Sequence, residues 1–271
     1  MIMDEATKTP GSVAGTPPET DPLVSFRQDG PIGTILLQRP PVNAMHDALI
    51  GQLDAALDEA EAAALRVVRL RGAGRAFCAG ADLRMVGSRV GNAEGAAAME
   101  ATVRSLHRVF GRLASLPAVT IAEIGGVALG AGLELALACD LRLVSSEARL
   151  GLPEPAVGLL PGAGGTQRLT RLCGAGIAAR IILAGDQIDG AEAVRLGLAH
   201  WCVPLADLNT ESDRITARVA GFSTEALRLS KRCIELAGLP GPGGADAEIS
   251  GIARLMMAPD TGARIAAFLA R

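Results

Sequence analysis

A chain of 271 residues with 49% apolar and 20% charged side chains is long enough for one large α/β domain, or a core with a smaller appendage. Its net charge of -3, with acids and bases interspersed, gives no electrostatic footing for nucleic acid. Five cysteines, Cys78, Cys139, Cys173, Cys202 and Cys233, are scattered without a CxxC pair, which argues against a disulfide framework or a zinc site and suits a reducing cytosol.

Residues 1–21 are rich in Pro, Gly, Thr and acid and lack an apolar stretch, so they read as a disordered leader, not a signal peptide. No apolar run elsewhere reaches membrane length free of charge, so a soluble protein is expected. Residues 23–27 and 33–38 form two expected strands around the turn Asp29-Gly30-Pro31, and Arg39-Pro40-Pro41 stops the second. Across 47–64, Leu49, Leu53, Leu57 and Ala60 recur at helical spacing, with Asp54, Asp58, Glu59 and Glu61 opposite. A short strand at 66–71 ends at Gly72-Ala73-Gly74. Small residues then run from Ala76 to Leu83, where a ligand could lie against exposed backbone amides. Residues 85–98 show weak periodicity and are expected to be a mobile loop or lid. Met99, Val103, Leu106, Phe110 and Leu113 mark an amphipathic helix, with His107 beside the stripe as a core-edge or solvated residue.

The stretch 121–169 concentrates the chemistry. A β-rich run at 119–124 leads to a glycine turn and a short helix at about 130–138, apolar nearly all round and so expected to be buried. Glu134 lies inside it. A buried carboxylate costs several kcal/mol unless it is paired, hydrogen-bonded or protonated, and a catalytic group with a raised pKa is one explanation. Glu154 follows, fixed between Pro153 and Pro155, then Gly162-Ala163-Gly164-Gly165. Glu123 is a third acid, expected at a strand end and merely solvated or salt-bridged. The amides of Ala81 and Ala131, each in a small-residue turn, are candidates for an oxyanion hole. Glu134 and Glu154 beside them would make an acid/base pair able to hold a water. On the residues alone, Gly130-Ala131-Gly132 serves tight packing equally well, and Glu154 a surface loop. The glycine run lacks the Lys-Ser/Thr of a phosphate loop.

Helices are expected at 174–183 and at 189–196, the latter capped by Asp189, then a short strand at 200–203. From residue 223 the chain reads as all-helical, in segments 223–237, 245–257 and 260–270 broken by 238–244. Strands alternating with helices, then a helical tail, give a wound α/β core with a helical C-terminal subdomain. The organisation is a leader at 1–21, a core with the site at 22–203, and a helical subdomain at 204–271. No internal repeat is visible.

From Leu23 onward the chain resembles an enoyl-CoA hydratase of the crotonase family. The matching motifs are Leu37-Gln38-Arg39-Pro40 with Asn43-Ala44, Ala76 through Leu83, Gly126 through Leu135, Leu152-Pro153-Glu154-Pro155, and Gly158 through Leu169. The resemblance implies repeated ββα units (the ClpP/crotonase spiral), a C-terminal helical subdomain for oligomerisation and pocket cover, and homotrimers or dimers of trimers. It implies an acyl-CoA substrate whose thioester oxygen is held by the amides of Ala81 and Ala131. Glu134 would deprotonate water and Glu154 protonate Cα in a syn hydration. Arg39, Val42, Ala79, Asp82 and Leu83 fall where the family lines the adenine and pantetheine pocket, with Arg84, Phe268 and Arg271 as helpers around CoA, the last two across a subunit contact. No metal or redox cofactor, nucleic-acid partner or membrane is implied, and a cytoplasmic location is expected. Ala131 stands where many members have glycine, which is acceptable if its φ is negative. A Δ3-Δ2-enoyl-CoA isomerase, or a silent member that only binds CoA, are the alternatives.

Overall fold

The computed structural model describes residues 22–237 and 241–270; the expected leader, part of the 238–244 break and Arg271 lie outside the described residues. The chain opens with an antiparallel hairpin, β1 (Val24–Asp29) and β2 (Ile32–Leu37), followed by α1 (Asp47–Ala62). A pattern then sets in: a strand of a large sheet, a short strand of a small one, and helix. The first unit is β3 (Val67–Gly72) and β4 (Ala76–Cys78) with α2 (Leu83–Gly87) and α3 (Ala93–Ser115). The second is β5 (Val119–Ile124), β6 (Val127–Leu129) and α4 (Ala131–Leu137). The third is β7 (Leu141–Ser145) and β8 (Arg149–Gly151), then a 3₁₀ turn at Glu154–Val157 and the helices α5 (Gly165–Cys173), α6 (Ala175–Leu183) and α7 (Gly190–Arg195). With β9 (Trp201–Val203), the large sheet has the order β1-β2-β3-β5-β7-β9, and the small one β4-β6-β8. Among the described residues every strand pairing after the hairpin is parallel, with one isolated antiparallel bridge between Leu150 and Ile188. This is the ββα spiral of the crotonase fold.

All six residues of β5 are buried, as a parallel strand covered on both faces requires. The chain leaves one sheet for the other at tight corners. At Gly126 a methyl group would come within 2.1 Å of the Arg75 carbonyl oxygen, so only glycine passes.

Four more helices complete the chain. α8 (Leu208–Ala220) lays Leu208, Ile215 and Val219 against Val67, Ile121 and Leu143 on the large sheet. α9 (Thr224–Ala237) is tied down by Lys231, which donates to Asp140 Oδ2 at 2.7 Å and to the Ala118 carbonyl at 3.1 Å. α10 (Gly243–Met256) and α11 (Pro259–Leu269) leave Ile249, Ile252, Met256, Met257, Ile265, Phe268 and Leu269 exposed.

One expectation changes, and elements appear that the pattern did not show. The segment 85–98 is not a long loop: α2 and α3 occupy most of it, leaving a connector at 88–92. Asp82 and Asn92 cap the two helices, and Arg89 fastens the connector by pairing with Asp47 and donating to Thr102 at 2.7 Å. Alanine-rich sequence favours helix even where its apolar periodicity is weak. Helices α5 and α8 and the three strands of the small sheet had no counterpart in the pattern. His107 is exposed.

Glu123 is salt-bridged, but deep inside. It is 3% exposed and pairs with Arg69 and Arg71, while Asp213 of α8 closes on the far side of Arg69 at 2.7 Å. Removing Glu123 leaves Arg69 with Asp213 alone and Arg71 without its carboxylate, so Glu123→Ala is expected to cost about 1–3 kcal/mol in urea unfolding.

Candidate active site

β4 delivers the first backbone donor. Met45 donates to the Gly80 carbonyl at 2.8 Å and accepts from the Asp82 amide at 2.7 Å, a parallel bridge centred on Ala81. That bridging pattern uses the neighbours of Ala81 and turns its own N–H to the opposite side. Two side chains hold this loop. Asn43, buried and with a φ of 54°, donates through Nδ2 to the carbonyls of Ala73, Ala76 and Phe77 and accepts from the Arg39 amide. Arg39 pairs with Asp82 at 2.8 Å and donates to the Ala44 carbonyl. Burial works against the charge of Asp82, but Arg39 and the amides of Arg84 and Met85 outweigh it and hold the carboxyl below its ordinary range.

The second donor heads α4. Gly130 has φ 52° and ψ -128°, a conformation open to glycine, and the helix begins at Ala131. Ala131 has the negative φ its methyl needs, since Asn43 is the only non-glycine residue with positive φ among the described residues. As the first residue of the helix, its N–H has no carbonyl one turn back to bond. The loops touch here: a methyl on Gly80 would lie 3.6 Å from the Ala131 nitrogen.

Three positions on from Ala131, on the same side of the helix, comes Glu134. It is 1% exposed, and its Oε1 accepts the Ala163 amide at 2.8 Å and the Gly165 amide at 2.7 Å. Burial raises its pKa; the two amides and the charge of Arg168 pull it part of the way back. The turn that binds it needs small residues, because a methyl on Gly165 would sit 2.9 Å from Cγ and Oε1 of Glu134.

Glu154 arrives from the 3₁₀ turn after β8. Its Oε1 lies 2.8 Å from where a methyl on Gly130 would stand, and that same point is 3.7 Å from the Gly80 Cα. Glu154 therefore meets both amide-bearing loops at one spot. Its Oε2 is buried with no hydrogen-bond partner among the described residues. Burial pushes its pKa up to about 7, and the neighbouring charge of Glu134 adds to the rise. Two carboxyl groups in one pocket, one held by two amides and one with a buried oxygen left without a partner, are suited to opposite protonation states near neutral pH.

A sequence profile of the family described as Enoyl-CoA hydratase/isomerase matches residues 27–236. The chain belongs to that family. A short-chain-enoyl-CoA hydratase of Clostridium acetobutylicum is 34% identical over 218 residues, 78% of this chain and 80% of the relative. A mitochondrial enoyl-CoA hydratase domain-containing protein of Homo sapiens is 40% identical over 217 residues, 76% of this chain and 72% of its own. Among solved structures, an enoyl-CoA hydratase from Bacillus anthracis superposes with a TM-score of 0.84 at 34% identity, covering 91% of this chain and 95% of that one.

For an enzyme of the enoyl-CoA hydratase/isomerase family, the remaining expected contacts fall in two places. Val42 and Ala79 are half-buried and joined by a bond from the Ala79 amide to the Val42 carbonyl, beside the Arg39–Asp82 pair. Leu83 and Arg84 are exposed just beyond, at the start of α2. Phe268 is 72% exposed on α11, which packs on α10. Sequence reasoning did not find the anchoring role of Asn43, nor the amides of Ala163 and Gly165 as the seat of Glu134. The run Gly162-Ala163-Gly164-Gly165 was the signal for the second, since such small residues leave amides open to a buried anion.

A folded-state pKa near 7 makes the Glu154 charge a growing burden on the fold as pH rises from its ordinary 4.5 through about 7. Glu154→Gln is expected to raise the melting temperature at about pH 8 and to change it little at about pH 4.

Proposed function

We propose that the protein is an enoyl-CoA hydratase, adding water syn across the double bond of a 2-enoyl-CoA to give a 3-hydroxyacyl-CoA. The observation that carries this reading is the meeting of Glu154 with the Ala81 and Ala131 loops, one turn of α4 from Glu134. The thioester oxygen accepts from the two amides, which favour the negative charge that builds there as the enolate forms. Glu134, ionised, takes a proton from water, and the resulting oxygen bonds to C3. Glu154, protonated, gives its proton to C2 as the enolate collapses back to the thioester. Once the proton on Glu134 has been passed to solvent and Glu154 has taken one back, the balance is one water added with no net redox change, so the scheme calls on no metal or redox cofactor, and coenzyme A belongs to the substrate.

Arg39, Val42, Ala79, Asp82, Leu83 and Arg84 form the proposed CoA-binding edge, with Phe268 reaching it from another subunit. The exposed apolar residues of α10 and α11 support a homotrimer or a dimer of trimers, and light scattering would give the subunit number. Among the described residues no helix is long and apolar enough to cross a membrane, and the five cysteines are free, which supports a cytoplasmic setting.

With crotonyl-CoA, the enone absorbance is expected to fall, and Glu134→Gln or Glu154→Gln to slow the loss by about 10²–10⁴. An isomerase would leave crotonyl-CoA intact and convert a 3-enoyl-CoA; a silent CoA-binding protein would do neither. The acid role of Glu154 sets the sign of the pH response: the hydration rate should decline as pH rises through about 7. Removing the adjacent charge with Glu134→Gln should move the Glu154 titration to lower pH.

A further inference from the structure

Glu134 keeps its place through a turn that needs an anchor of its own. The turn offers the amides of Ala163 and Gly165, and between them lies Gly164, with φ 99° and ψ 6°. The anchor comes from one turn into α5. Arg168 donates through Nη1 to the Ala163 carbonyl at 2.8 Å, and its own amide donates to the Gly164 carbonyl at 2.8 Å. Ala163 is thus gripped at both polar groups, its N–H by Glu134 and its C=O by Arg168. The guanidinium lies so close that a methyl on Gly164 would be 2.4 Å from Nη1.

Arg168 is a costly residue for this purpose. It is half-buried and, among the described residues, makes no ion pair within 4.0 Å. A half-buried cation whose sole direct partner is a neutral carbonyl is held at a desolvation cost that an apolar side chain would avoid. What an apolar side chain would lack is the bond to Ala163 and the positive charge on the far side of the turn from Glu134.

We propose that Arg168 is a positioning residue for Glu134: it locks the 163–165 turn from outside, so that both amides of the turn stay aimed at Oε1. Resting on the hydratase reading, this assigns Oε1 to the turn and leaves Oε2 for the reacting water. The charge of Arg168 also favours the ionised carboxylate that accepts the water proton. The other titratable groups around this pair are Glu154 from the 3₁₀ turn, Arg171 further along α5, and Cys139 just past α4.

The test uses the full-length protein and three variants, Arg168→Met, Arg168→Gln and Arg168→Lys. Steady-state hydration of crotonyl-CoA gives kcat and KM against pH. Difference infrared spectroscopy follows the Glu134 carboxyl, identified as the band missing in Glu134→Gln. In Arg168→Met, kcat is expected to drop about 10²-fold, as a slightly misplaced base does, with KM changed less than about threefold. The Glu134 band and the acid limb of kcat/KM should move to higher pH together, and Arg168→Lys should recover part of both. A kcat within about twofold of wild type in Arg168→Met overturns the proposal, and so does a loss of kcat with the Glu134 titration unmoved. If Arg168→Met does not fold, as judged by circular dichroism, Arg168→Gln takes its place under the same criteria. If the wild type does not hydrate crotonyl-CoA, the hydratase reading falls, and the infrared titration of Glu134 alone decides the role of Arg168.

Discussion

A carboxylate inside an apolar helix is the constraint on which the site depends. All seven residues of α4 are buried, and Glu134 is the one that carries charge. Left unpartnered it would cost several kcal/mol, so the fold brings two amides to it from a turn some thirty residues downstream. That capture draws the glycine-rich turn against α4. It also sets the direction in which α5 departs. The small residues at 162–165 follow from the need to bring backbone, not side chains, against a buried anion.

The two-sheet spiral explains why the other parts meet there. The small sheet stacks β4, β6 and β8 side by side, and their C-terminal ends deliver in turn the Ala81 loop, the Ala131 helix start and the Glu154 turn. Three segments separated by tens of residues are thereby laid next to one another at one edge. Their short length suits the task, because a strand of three residues places a loop without carrying it away from its neighbours. The large sheet supplies bulk and the small sheet the address.

Much of this was legible in the amino-acid sequence, for physical reasons that can be named. The hairpin, α1, β3, β5 and the C-terminal helices announce themselves by periodicity and by Gly or Pro at their ends. Glu134 stood out as an acid in an apolar run, and Asp189 as a helix cap, which it is, accepting the Glu192 amide at 2.8 Å. The ββα repeat came from the resemblance and not from periodicity, since the units share backbone geometry but no side-chain pattern, and strands of three residues are too short to display alternation. Asp82 was read as a pocket residue, yet its pairing with Arg39, 43 positions earlier, is a tertiary fact that no local pattern encodes. The connector at 88–92 is held by Arg89, Asp47 and Thr102, again distant in sequence, so a glycine- and alanine-rich segment reads as looser than it is.

The fastening of α9 carries a further consequence for handling the protein. Asp140, which Lys231 grips, lies three residues past the end of α4 and also accepts the Thr120 amide at the start of β5. Trimming the chain back to α8 would take away the cation and leave that carboxylate at the foot of the helix whose head bears Ala131. The tail is therefore not a detachable handle. A version shortened to lose α9 gives up this anchorage.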